Sequence, residues 1–150
     1  MWTVARCRVI CTLKWAARML IQSPSLLITD DDAEFRQTLC GLFGQRGFRT
    51  LAACDGQEAL EIVSREQVHL LLLDVHMPRL TGLETLQLVK QINELLPIIL
   101  LTAQLDETIV KQAREANAFS ILRKPVALRE LTDAVAQAMR TAYNWDWRYS

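Results

Sequence analysis

The run Leu70-Leu71-Leu72-Leu73 contains no polar residue and stops at Asp74, which Val75-His76-Met77-Pro78-Arg79-Leu80-Thr81-Gly82 follows at once. A short apolar run bounded by turn residues predicts a strand buried on both faces, as in a parallel sheet covered by helices. A carboxylate just past such a strand stands at the carboxyl edge of the sheet, where open α/β folds place their ligands.

The rest of the chain supplies the alternation that such a sheet needs. Leu26-Leu27-Ile28-Thr29 predicts a first strand, ending in Asp30-Asp31-Asp32. Phe35, Leu39, Leu42 and Phe43 then share one helix face, with Asp32 placed to cap it and Gly44 and Gly47 to close it. Residues 48–54 predict a second strand, and Asp55-Gly56 opens a short helix carrying Ala59, Leu60 and Val63. Residues 69–73 give the third strand, and 82–92 a helix that buries Leu83, Leu86 and Val89. Pro97 introduces a fourth strand at 98–102, followed by a helix over 106–116. A fifth strand at 119–122 runs into Arg123-Lys124-Pro125, and the last helix covers 128 to about 141. Five βα units with right-handed crossovers predict an α/β, flavodoxin-like, doubly wound five-stranded parallel sheet in strand order 2-1-3-4-5, with helices on both faces.

With 150 residues, 51% of them hydrophobic and 23% charged, the chain suits one globular domain. Its formal charge of zero is unevenly spread. Residues 1–23 carry Arg6, Arg8, Lys14 and Arg18 and no acid, so the remainder is acidic. An acidic domain is a poor partner for phosphate backbones, and no direct nucleic-acid binding is expected. Residues 9–21 are apolar but broken by Lys14 and Arg18, which argues against a membrane span or a signal peptide. Residues 1–23 therefore form a basic extension: disordered, or an amphipathic helix on a membrane or partner, or the product of an upstream start with Met19 the true one. The main domain is expected at 24–142. The aromatic tail at 143–150 is expected to fold back on it, dock a partner or stay disordered. Cys7, Cys11, Cys40 and Cys54 make no C-x-x-C pair, and Cys40 and Cys54 are expected as buried thiols.

Four strand ends carry chemistry: Asp30 and Asp31, then Asp74, then Thr102 followed by the small Ala103, then Lys124-Pro125. In the strand order above these ends share one crevice. Clustered carboxylates repel one another, and a bound cation resolves the repulsion. An all-oxygen donor set without a suitable histidine pair favours Mg²⁺, with Mn²⁺ able to substitute. A carboxylate beside such an ion is a nucleophile towards phosphorus and forms an acyl phosphate. Lys124 would add positive charge, and Thr102 a hydroxyl donor to the phosphoryl oxygens. Taken singly, each of these is an ordinary turn aspartate, strand-end threonine or solvated Lys-Pro. The signal is their order at successive strand ends.

These motifs resemble the response regulator receiver domain of bacterial two-component signalling. The resemblance covers about residues 25–141, through Leu26 to Asp32, Leu70 to Pro78 with Gly82, Ile98 to Ala103, and Lys124-Pro125. It implies a cytoplasmic signalling phosphoacceptor rather than an enzyme. Asp74 would take phosphate from a sensor histidine kinase or a histidine phosphotransfer protein, with output through contacts to a downstream protein target. It further implies that Asp31 ligates Mg²⁺ directly, Asp30 through water, and the His76 main-chain carbonyl completes the protein ligands. Thr102 and Lys124 would bind the phosphoryl group, and the Lys124-Pro125 bond would be cis. His76 and Gln104, two residues beyond Asp74 and Thr102, occupy positions whose side chains tune phosphoryl lifetime in the family. A solvent-facing imidazole is the plainer expectation for His76. Ala103 and Pro125 belong to the same switch region.

The chain also departs from the family. Ile121 stands where an aromatic residue usually turns inward after phosphorylation. Isoleucine is stiff at χ1 and has no ring to swing, which opens the usual threonine–aromatic switch to question. Phe119 is expected on the same side as Ile121, in the core. Asn117 replaces a frequent glycine, and asparagine tolerates the left-handed conformation. The short stretch after residue 141 suggests a stand-alone receiver. Two other functions compete: a degenerate receiver acting as a phosphorylation-independent protein-binding module, and, remotely, a Mg²⁺-dependent phosphatase of the haloacid dehalogenase type. The latter usually has a second aspartate where this chain has His76. A nucleotide-binding domain lacks support, because no G-x-G-x-x-G follows the first strand.

Overall fold

The computed structural model describes residues 23–147. Its three central strands are β1 (Ser25–Thr29), β3 (Leu70–Asp74) and β4 (Ile98–Thr102), each buried along its whole length. Unbroken apolar runs have no solvent face to offer, so they take the middle of the sheet. The flanking strands β2 (Arg49–Ala53) and β5 (Ser120–Arg123) are mixed in burial, as edges are. All pairings are parallel, in the order β2-β1-β3-β4-β5. This is the predicted topology.

Among the described residues four helices connect the strands and a fifth follows β5: α1 (Ala33–Gly44), α2 (Gly56–Arg65), α3 (Gly82–Ile92), α4 (Glu107–Glu115) and α5 (Leu128–Tyr143). Asp32, Asp55, Thr81 and Asp106 each cap the next helix, accepting from the backbone N–H three residues on. Strand alternation divides the core in two. Leu27, Leu71, Leu73 and Leu100 pack with α2, α3 and α4; Leu26, Ile28, Leu70, Leu72 and Ile99 pack with α1 and α5. Gly47, at φ +92°, turns the chain from α1 into β2.

Asn144 adopts the left-handed conformation at the end of α5 and reverses the chain. Trp145 is thereby buried, with its ring centroid 5.1 Å from that of Phe48, and Trp147 lies 5.9 Å from the same ring. The described part of the aromatic tail thus folds back on the domain. Residues 148–150 and every expectation for residues 1–22, including the start at Met19, lie outside the described residues. No described helix is long and apolar enough to cross a membrane.

Two expectations fail. Cys54 is exposed rather than buried, because β2 ends at Ala53 and the next residues form a helix cap; Cys40 is half-buried. Phe119 packs into the α1–α5 core while Ile121 packs into the opposite one. Strand alternation does not reach Phe119, which precedes the first residue of β5. Asn117 is left-handed, at φ 61°, as expected.

Thr29 is fully buried, and its hydroxyl has no hydrogen-bond partner. A desolvated hydroxyl without a partner is a liability. Thr29→Val is therefore expected to be neutral or to stabilise by up to about 1 kcal/mol in urea denaturation. A loss of that size would show that the hydroxyl is satisfied in solution.

Candidate functional site

β1 and β3 lie side by side, so the residues at their carboxyl ends meet. Asp30 follows β1 directly and Asp74 is the last residue of β3; they are 1% and 5% exposed, while Asp31 faces solvent. Carboxylate oxygens from all three lie within 4.8 Å of one another. The backbone holds them in place. Asp32 N–H donates to Asp30 Oδ1 at 2.9 Å, and His76 N–H donates to Asp74 Oδ1 at 3.2 Å.

Lys124 arrives from the far side of the cleft. Its N–H donates to the Thr102 carbonyl at 2.7 Å, and the Lys124-Pro125 bond is cis, as expected. Its Nζ donates to Asp30 Oδ2 at 2.6 Å and lies 3.5 Å from Asp74 Oδ2, bridging the two buried carboxylates. The Phe35 ring lies under this ammonium at 4.7 Å. Arg36 Nη1 donates to the Asp30 carbonyl at 2.6 Å.

One ammonium cannot balance three carboxylates. Burial, and then the charge of Asp30, push the Asp74 carboxyl up to about 6 from an ordinary 3.8; Lys124 and the His76 N–H pull it down, and Asp31 adds a smaller upward push. The uncompensated charge of this cluster is that of one divalent cation, and its donors are all oxygens. Asp30, Asp31 and Asp74 thus fit Mg²⁺, the ion that such donors favour.

Thr102 is fully buried at the end of β4, and its hydroxyl meets His76 Nε2 and the Gln104 backbone. Ala103, Gln104 and Pro125 are exposed around the rim, and so is His76. Asp30, Asp31, Asp74, His76, Thr102 and Lys124 therefore share one crevice. Ile121, opposite Leu100 in the sheet, packs against the core and touches none of them through a polar atom. Sequence reasoning missed two contributors. Phe35 was expected to serve only the core, and Arg36 was not singled out. Both lie in the first turn of a helix that starts beside Asp30, which is the signal that would have placed them. A second acidic group, Cys54, Asp55 and Glu58, is a reciprocal helix cap: Glu58 N–H donates to Asp55 Oδ1 and Cys54 N–H to Glu58 Oε2.

Residues 26–136 match the family described as response regulator receiver domain. Among curated relatives, sporulation initiation phosphotransferase F of Bacillus subtilis is 33% identical over 115 residues, covering 77% of this chain and 93% of its own. The transcriptional regulatory protein CpxR of Escherichia coli is 35% identical over 118 residues, covering 79% of this chain; this chain spans only 50% of CpxR. Among solved structures, a response regulator receiver domain protein from Clostridium thermocellum superposes with a TM-score of 0.74 at 28% identity, covering 79% of this chain and 95% of that one. Fold, acidic crevice and sequence match agree: the chain belongs to the response regulator receiver domain family.

Proposed function

We propose that this chain is the phosphoacceptor of a two-component phosphorelay. Asp74 takes a phosphoryl group, in a Mg²⁺-dependent step, from the phosphohistidine of a sensor histidine kinase or a histidine phosphotransfer protein. Its state is then passed on through protein contacts, in the cytoplasm where such donors work. The observation that carries this reading is the convergence of Asp30, Asp31 and Asp74 under the Lys124 ammonium. The name of the phosphotransferase relative supports a relay role, and that of CpxR a regulatory one.

Asp74 is mostly ionised at about pH 7, above its raised pKa, and is therefore a nucleophile. One of its carboxylate oxygens attacks phosphorus as the bond from phosphorus to the donor imidazole breaks, and the imidazole leaves with that electron pair. Mg²⁺ held by Asp30, Asp31, Asp74 and the His76 carbonyl would offset the charge of the phosphoryl oxygens. Lys124, already poised between the two buried carboxylates, shifts its hydrogen bond to the phosphoryl group. Thr102 supplies a hydroxyl donor. Arg36, on the Asp30 carbonyl, fixes the loop that carries the metal ligands.

The test is incubation with Mg²⁺ and acetyl phosphate. One acid-stable, base-labile phosphoryl group per chain is expected, absent in Asp74→Asn and after chelation. If neither acetyl phosphate nor a phosphorylated histidine protein gives an adduct, the chain is a phosphorylation-independent binding module. Sustained turnover of varied phosphate esters would instead mark an aspartate-nucleophile phosphatase.

A further inference from the structure

The Thr102 hydroxyl is fully engaged before any phosphoryl group arrives. Oγ1 donates to the Gln104 carbonyl at 2.9 Å, accepts from Gln104 N–H at 3.2 Å, and lies 3.1 Å from His76 Nε2. A hydroxyl has one proton and two lone pairs. A carbonyl only accepts, so the proton is committed to Gln104. Both lone pairs then take donors, which calls for a hydrogen on His76 Nε2. The imidazole comes from the segment after β3, and Thr102 from the end of β4, so this bond reaches across the crevice beside Asp74.

A phosphoryl oxygen on Asp74 is likewise an acceptor only. Thr102 can bind it only by withdrawing its proton from Gln104, which undoes the arrangement that His76 completes. On the neighbouring strand Ile121 has no polar side-chain atom and packs against the core, so it is not built to follow the threonine. His76 is exposed, and it is the one side chain outside the threonine's own turn that touches this hydroxyl among the described residues.

We propose that His76 is a positioning residue that latches Thr102 towards Gln104 in the unphosphorylated protein, and that phosphoryl capture by Thr102 frees the His76 ring. The state of Asp74 is then displayed at the surface between β3 and α3 rather than on β5. This rests on Asp74 being the phosphoacceptor.

The test uses the full chain with Mg²⁺ and beryllofluoride as the phosphoryl mimic, read by imidazole nitrogen NMR. The chain has two histidines, and His69 serves as the internal reference, because its Nδ1 accepts from Ser25 N–H at 2.9 Å far from the site. In the free protein His76 Nε2 is expected to carry a hydrogen-bonded proton. Beryllofluoride is expected to remove the bond and leave His69 unmoved. Removing one hydrogen bond from the resting state is expected to lower the half-saturating beryllofluoride about fivefold in His76→Ala. His76→Gln, whose amide donor has similar reach, is expected to restore it. In a Thr102→Val background His76→Ala is expected to change nothing. Unmoved His76 resonances in the saturated complex, or an undiminished His76→Ala effect without the hydroxyl, would overturn the latch. No complex at all in the wild-type chain would overturn the phosphoacceptor reading itself, and the latch with it.

Discussion

Replacing Asp74 by asparagine is expected to make the metal-free protein more stable at about pH 7, by as much as about 3 kcal/mol, while removing its capacity for phosphate. The carboxyl titrates near 6 in the folded chain against 3.8 ordinarily, so folding disfavours its charged form. Between those two values the native state holds a proton that the unfolded chain has released. Stability therefore falls as pH rises through the interval, and the whole loss is present above about pH 6. The amide carries no charge to desolvate and none for Asp30 to repel. The attraction of Lys124, which the amide forgoes, is already contained in that net shift. Urea denaturation in the presence of a chelator should show the variant ahead at neutral pH, with the gap closing as pH falls towards about 4. Saturating Mg²⁺ should narrow or reverse the order, because only the wild type offers all three carboxylates. Binding at a hundredfold excess over Kd adds about 2.7 kcal/mol to the folded state. An asparagine variant no more stable than the wild type at neutral pH without metal would mean that the carboxylates are not crowded in solution.

Sheet topology explains why so much of the site was legible in the sequence. Apolar runs fixed β1, β3 and β4 at the centre, and a parallel sheet brings the ends of adjacent strands to one edge. Asp30, Asp74, Thr102 and Lys124 therefore converge by topology alone, without any knowledge of side-chain conformation. The helix cap at Asp32 was equally local, a short polar residue one step before an apolar period. What could not be read depends on single-residue offsets. Phe119 was assigned a side by alternation, but β5 starts one residue later, and a shift of one residue changes the face. Cys54 was placed inside the second strand and proved to lie just beyond it. The contact between His76 and Thr102 joins the loop after β3 to the end of β4, and neither periodicity nor propensity specifies the direction of a loop side chain.

Gly82→Ala separates local propensity from tertiary packing, because the two predict opposite signs. Alanine is favoured over glycine in a helix interior by roughly 1 kcal/mol, so propensity alone predicts stabilisation. Gly82, however, opens α3 directly against β3. Its N–H donates to the Val75 carbonyl at 2.9 Å, and a Cβ there would collide with the Asp74 carbonyl oxygen and the Val75 Cα. Both obstacles are backbone, so neither can rotate aside. The helix must lift from the strand that ends in Asp74. Overpacking of this kind costs about 1–3 kcal/mol where side chains can yield, and the upper end or more is expected here. Gly41 is the internal control. It lies within α1 with nothing near the position of an added Cβ, so Gly41→Ala is expected to stabilise by up to about 1 kcal/mol. Denaturation curves of the two variants should therefore move in opposite directions. The lifted helix should also weaken Mg²⁺ binding in Gly82→Ala alone, since the segment from Asp74 to Gly82 carries both Asp74, one of the three clustered carboxylates, and His76. If Gly82→Ala stabilised like Gly41→Ala, the close approach of α3 to Asp74 would not exist, and the geometry that aims Asp74 into the crevice would need another origin.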